Sequence, residues 1–244
     1  MNKHLFENDF SADSWRWITK VQEKGLKIHR SKINNASRIE ELEDIHEEII
    51  KDNDAALAYF CANEFPYKIY RMQKVVLDRK DPRYALLFAQ NIQGCDVKAL
   101  QNIVIDSKNI KYICKFACFV KRANKTPLEE LIIKSGEAKY CHMYIKYVRE
   151  ANVSKFKNII LKSKKPSYLF ELAKHCSKED LSKIEDLIIE VKSFTYMRML
   201  AEKIKGSNID KLEQAVLDTE NLKEIKKFAK YVKKSKMKKF LLVV

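Results

Sequence analysis

The sequence predicts an all-α protein built of tandem helical hairpins, and three observations predict it. Tyr84, Tyr112, Tyr140, Tyr168 and Tyr196 recur every 28 residues, a spacing at which a chain repeats one supersecondary unit. Within each period the apolar residues fall on two stripes of helical spacing and do not alternate as in a strand. Glycine and proline number only 4 each in 244 residues, so few residues interrupt a helix.

Taken in order, residues 1–12 read as a tail. A helix begins after Asp13 and carries Trp15, Trp17, Ile18 and Val21. Residues 25–36 are polar and basic and read as a loop. Ser37-Arg38-Ile39-Glu40 has the form of a capping box, opening a helix with Ile39, Leu42, Ile45 and Ile49 as its stripe. The unit at 54–81 is degenerate, with Ala56 in place of the tyrosine, while Phe60, Cys61, Met72, Val75 and Val76 keep phase.

The regular units, counted from their tyrosine as position 0, justify the two helices. Position 4 reads Phe88, Phe116, Tyr144, Leu172, Leu200 and Phe228; position 5 is alanine in all but one of these; position 8 reads Ile92, Val120, Val148, Cys176, Ile204 and Val232. Positions 0, 4, 5 and 8 share one helical face, so the tyrosines read as a core ladder in preference to a ladder for stacking bases. Positions 16, 19 and 20 form a second stripe, as in Leu128, Leu131 and Ile132. Position 12 reads Asp96, Asn124, Asn152, Asp180 and Asn208, residues suited to N-caps. Asp81, Asn109, Ser193 and Asn221 precede the first helices, and Pro82 and Pro166 fit their N1 sites. No linker breaks the run, so the chain reads as one domain, with 1–53 as an N-terminal helical cap and 54–244 as repeats.

In general form residues 54–244 resemble the α-solenoid repeat proteins, the HEAT-like group above all. The likeness rests on paired short helices at a fixed period; the unit is shorter than theirs and carries none of their signatures. The resemblance implies a right-handed α-solenoid of about seven two-helix repeats.

Lys+Arg number 48 and Asp+Glu 33, a net charge of +15. Residues 1–80 hold 14 of each, so the whole excess lies in 81–244. A basic field favours acidic partners. The turn between the two helices gathers the cations. Positions 9 and 10 give Lys121, Arg122, Arg149, Lys178, Lys205 and Lys233; position 6 adds Lys146, Lys174 and Lys230; position 7 adds Tyr147, His175, Lys203 and Tyr231. Stacked units would align these as a basic rim with interleaved aromatics, unless the row is simply a solvated loop edge. A second basic row, Lys108, Lys134, Lys162, Lys164, Lys165 and Lys192, lies at the loops between units.

Cys114, Cys118, Cys141-His142 and His175-Cys176 raise a zinc reading, but no CxxC pair accompanies them and several fall on core phases, so no metal or cofactor is expected. No Gly-rich phosphate loop, GxSxG or HExxH is present. The expectation is therefore a non-enzymatic scaffold gripping an acidic protein partner. The alternative is sequence-tolerant RNA or DNA binding along the rim. A third reading, a viral or phage factor that blocks a host complex, rests on likeness to short repeats of uncharacterised phage and bacterial proteins. No apolar run is long enough to span a bilayer and no leader opens the chain, so a cytoplasmic location without membrane contact is expected.

Overall fold

The structure, a computed structural model, describes residues 43–237 except 45, 48, 65 and 67. Among them the fold is all-α, with no strand. Helical residues at 43, 44, 46, 47 and 49–52 precede α1 (Ala55–Glu64), α2 (Ile69–Arg79), α3 (Pro82–Asn91), α4 (Val97–Asp106), α5 (Ile110–Phe119), α6 (Lys125–Ser135) and α7 (Ala138–Tyr147). Then follow α8 (Val153–Ser163), α9 (Pro166–Ala173), α10 (Lys178–Glu190), α11 (Phe194–Lys203), α12 (Ile209–Leu217) and α13 (Leu222–Tyr231). The chain divides into two compact units between Tyr112 and Ile113, inside α5. The capping box at Ser37, the helix of Trp15 and Trp17, and Phe240–Val244 lie outside the described residues.

In the first unit α1 packs on α2 and α3, and α3 on α4. Met72, Val76, Phe88, Leu100 and Val104 are fully buried between them, whereas Phe60 is only half-buried. Asp81 caps α3 by accepting from Arg83 N–H at 2.8 Å, with Pro82 at N1, and Asp96 caps α4 by accepting from Ala99 N–H at 3.0 Å. Each cap satisfies a backbone donor that the helix cannot.

In the second unit α7, α9, α11 and α13 pack side by side in chain order, and α10 packs on α12. The core is drawn from both stripes: Phe116, Leu172 and Leu200 from first helices, and Leu128, Ile132, Phe156, Ile160, Ile184, Ile188 and Leu212 from second helices, all with no exposed surface. Position 19 is a flank in this unit, where Leu131, Ile159, Leu187 and Ala215 are half-buried, whereas Ile103 in the first unit is core.

The tyrosines are not the core ladder the periodicity suggests. All five are half-buried. Position 1 is buried in their place, with Ala85, Ile113, Cys141, Leu169 and Met197 at 0–1% exposure, as deep as position 4. At about 100° per residue, positions 1, 4, 5 and 8 span about 100° of arc, and position 0 falls just outside it. Position 2 falls outside the opposite edge. Side-by-side helices therefore bring position 0 of one repeat against position 2 of the one before. His142 stacks on Tyr168 with ring centroids 4.4 Å apart and planes at 18°, and Phe170 meets Tyr196 at 5.9 Å. Cations cover four of the rings: Arg83 over Tyr84, Lys111 over Tyr112, Lys139 over Tyr140 and Lys165 over Tyr168, at 5.3–5.9 Å. A half-wet aromatic flank suits tyrosine, whose ring is apolar and whose hydroxyl tolerates water.

A column of polar residues runs along the second helices at position 17: Gln73, Gln101, Glu129, Lys157, Glu185 and Glu213. Gln73, Gln101, Glu185 and Glu213 are buried. Most of the column tie to the next repeat at its second-helix N-terminus. Gln73 accepts from Asp96 N–H at 2.9 Å, Glu185 from Asn208 N–H at 2.8 Å, and Glu213 from Lys236 N–H at 3.1 Å. Glu129 instead takes the Lys155 ammonium at 2.8 Å. These bonds staple consecutive second helices in one register.

Asp180 is not the N-cap that its position suggests. Ser177 caps α10, accepting from Asp180 N–H at 3.3 Å, so α10 starts three residues early. The displaced carboxylate faces the one lysine of the polar column, accepting from Lys157 Nζ at 3.1 and 3.2 Å. That bond holds the Asp180 carboxyl below the usual carboxylate range. The column thus keeps its link with the charges reversed. Asn152 does head α8, but its side chain accepts from the Ser154 hydroxyl at 2.6 Å and from no backbone donor.

The column predicts a pH effect. Burial pushes the Glu185 carboxyl above its ordinary value of 4.5, against the bond from Asn208 and the nearby Lys211. The folded state therefore holds this proton more tightly than the unfolded one. That contribution to stability is complete below pH 4.5 and is lost as pH rises through the raised folded value. Glu185→Gln keeps the acceptor, as Gln73 does, and is expected to flatten this fall and match or exceed the parent's unfolding free energy at pH 7. Glu185→Ala leaves the Asn208 donor unmatched and is expected to lose about 1–3 kcal/mol. Urea melts of both variants at several pH values check this.

The links from one hairpin to the next share a backbone device. Lys80, Lys108, Gly136, Lys164, Lys192 and Glu220 all have φ between 49° and 67°. Each ends a second helix in the left-handed region, a C-terminal cap that glycine favours; at the five other positions the conformation costs about 1 kcal/mol each. Lys108, Lys164 and Lys192 belong to the second basic row, so a backbone task at these positions stands beside any role of their charge.

Candidate functional site

The basic rim is set by how the first helices end. In α7, α11 and α13 position 8 ends the helix in an extended conformation: Val148 has φ −104° and ψ 104°, Ile204 −101° and 115°, and Val232 −88° and 105°. The exception is α9, which stops at Ala173 with Lys174 still in the right-handed helical region. Val148 and Val232 remain buried, and their N–H groups bond to the position-4 carbonyl at 2.9 Å. Anchoring the apolar side chain inward turns the next residue out to solvent. Lys121, Arg122, Arg149, Lys205 and Lys233 are accordingly exposed, as are Lys146, Tyr147, Lys174, His175, Lys178, Lys203, Lys230 and Tyr231. All of them lie in the second unit.

Several of these side chains have partners. Lys174 Nζ lies 2.7 Å from Glu171 Oε2 and 5.3 Å from the Phe170 ring. Lys146 sits 5.2 Å over the Tyr147 ring, and Tyr147 meets Phe119 of the preceding repeat at 5.2 Å. Tyr231 has Lys230 at 5.3 Å and Arg198 at 4.8 Å. By contrast Lys121, Arg149, Lys178, Lys203, Lys205 and Lys233 form no ion pair among the described residues. An exposed cation without an internal partner is available to an anion from outside.

Four of the expected residues converge. Lys146, Arg149, Lys174 and His175 line a cleft of about 300 Å³ with Glu171, over an apolar floor that includes Val148 and Val153. The turn after α7 supplies one wall and the end of α9 the other. Lys121 and Arg122, Lys203 and Lys205, and Lys230 and Lys233 belong to neighbouring turns and do not enter this cleft. Position-wise reading of the sequence missed Glu171 and raised the nearby His142 only as a zinc ligand. Burial lowers the His142 imidazole below its ordinary 6.5; Glu171 opposes this, and Lys146 and Lys174 reinforce it. The cleft is thus electropositive with one internal carboxylate, an arrangement suited to holding an anion.

The cysteines lie deeper. Cys114 and Cys118 approach to 3.9 Å between Sγ atoms, and Cys114 donates to the Tyr140 carbonyl at 3.3 Å. The contact with Cys118 and burial push the Cys114 thiol up, and burial pushes Cys141 up to about 11. Such thiols stay protonated and are poor nucleophiles. Among the described residues no three His, Cys, Asp or Glu side chains gather so as to hold a metal ion, and no helix is long and apolar enough to cross a membrane. Comparison of the chain with protein families, with curated proteins and with solved structures gives no match.

Proposed function

We propose that this chain is a non-enzymatic binding scaffold, a right-handed α-solenoid of about seven hairpins behind an N-terminal helical cap, whose basic rim grips an acidic protein partner. The first helices begin at Pro82, Ile110, Ala138, Pro166, Phe194 and Leu222, and this regular return of one hairpin supports the solenoid reading. The observation that carries the function is the set of exposed rim cations without internal ion pairs, Lys121, Arg149, Lys178, Lys203, Lys205 and Lys233. Carboxylates interrupt the rim at Glu150 and Glu202, both exposed. A continuous phosphate track is disfavoured by such interruptions, whereas a folded acidic surface can place its charges around them.

Nucleic acid is the second reading, favoured by Tyr147 and Tyr231, which are 44% and 46% exposed beside lysines. Their ring faces already carry Lys146, Lys230 and Arg198, which leaves less face for bases. Fluorescence anisotropy with labelled polyglutamate and with a single-stranded oligonucleotide of equal charge separates the two. Tighter binding of polyglutamate at equal salt is expected. Tighter binding of the oligonucleotide, weakened by Tyr147→Ala and Tyr231→Ala, would replace the protein reading with the nucleic-acid one.

A further inference from the structure

The charge balance of the cleft between α7 and α9 selects among anions. Lys146, Arg149 and Lys174 bring three cations to a space of about 300 Å³, and Glu171 is the one carboxylate on its lining. Glu171 and Lys174 are closed on each other at 2.7 Å. Lys146 and Arg149 remain, neither in an ion pair among the described residues. The floor is apolar, which strengthens charge recognition at the mouth. The volume suits a small group and not a length of polymer.

Two uncompensated positive charges match a dianion. A phosphate monoester carries close to two negative charges at neutral pH; a carboxylate or a phosphodiester carries one. We infer that this cleft receives a phosphate monoester. Arg149 supplies the planar paired donors that fit phosphate oxygens, and Lys146 acts as a point charge beside it. His175 adds an N–H donor on the opposite wall, at the end of α9. The inference rests on reading this rim as a partner-binding edge, and goes further by naming the group it recognises. The monoester can be carried by a protein side chain or by a small free molecule.

The test uses the full chain and three probes: a glutamate-rich peptide with one phosphoserine, the same peptide with serine, and free O-phosphoserine. The phosphopeptide is expected to bind at least about ten-fold more tightly than its serine form. Lys146→Ala with Arg149→Ala, at exposed positions, is expected to bring that ratio close to one. Glu171→Gln is expected to raise phosphopeptide affinity several-fold, because it removes a repelling charge and frees Lys174. Lys205→Ala with Lys233→Ala, outside the cleft, should weaken both peptides alike and leave the ratio unchanged. Displacement of the phosphopeptide by free O-phosphoserine at similar concentration assigns the cleft to a small molecule; a ratio that holds without such displacement assigns it to a modified protein. A wild-type ratio near one overturns the monoester site while leaving the rim standing, and so does a ratio that survives loss of Lys146 and Arg149. If the wild type binds neither peptide, the rim reading falls and the inference falls with it.

Discussion

Phe156→Ala is expected to cost the second unit about 3–5 kcal/mol, the range for deleting a buried aromatic ring. Phe156 has no exposed surface, and its ring lies 5.2 Å from that of Tyr144, itself 1% exposed. The two residues come from the two helices of one hairpin, so the deletion removes the contact that closes it. Relaxation is limited, because Ile160, one turn on in the same helix, is also fully buried and interiors are close-packed. A small domain has only about 5–15 kcal/mol in hand, so this single change should produce a large drop in urea midpoint by circular dichroism. Tyr147→Ala, one turn away but 44% exposed, should stay within about 0.5 kcal/mol. Equal effects of the two would mean that the hairpin core is drawn from other residues.

Reversing Lys121, Arg149, Lys205 and Lys233 together to glutamate is expected to weaken polyglutamate binding by more than about 100-fold. All four are exposed and lack ion pairs among the described residues, so the fold should survive the change. Each reversal removes an attraction and adds a repulsion, and the four occupy equivalent turns of four hairpins, with Ser177 at that place in the hairpin between Arg149 and Lys205. The control is Lys134→Glu, Lys162→Glu and Lys192→Glu, exposed residues at the loops between repeats, at the other end of the helices. Screening over about 10 Å at moderate salt should keep their effect within a few-fold. A control variant as weak as the rim variant would show that net charge matters and the edge does not. Circular dichroism of both proteins guards against unfolding.

The all-α class was legible because a hairpin repeat writes each structural position as a column with a fixed interval. Phe88, Phe116 and Leu200 mark the core in the sequence and in the structure alike, and so do the caps Asp81, Asp96, Asn124 and Asn208. The tyrosines misled because the periodic residue need not be the most buried one. Position 0 shares enough of the helical face with positions 4 and 8 to look central, yet position 1 is the one buried beside them. The polar column at position 17 recurs as regularly as the tyrosines, but it changes between Gln, Glu and Lys and is hidden beside the buried positions 16 and 20. Its meaning lies in a bond to the following repeat. Asp180 was misplaced because the early start at Ser177 is a local register change. The cleft was out of reach for a related reason: Arg149 and Lys174 meet only when two hairpins pack side by side, and Glu171 sits at a position that reads Leu87, Lys115, Met143, Met199 and Lys227 in the other units, so no acidic column flags it.

Salt dependence of polyglutamate affinity tests whether the rim of the second unit binds an anionic partner through charge. Between about 50 and 200 mM salt the logarithm of the affinity should fall linearly with the logarithm of salt concentration, as displaced counterions require. The slope should shrink in the Lys121, Arg149, Lys205 and Lys233 variant. Undetectable binding at the lowest salt, or an affinity that does not change with salt, would contradict the claim.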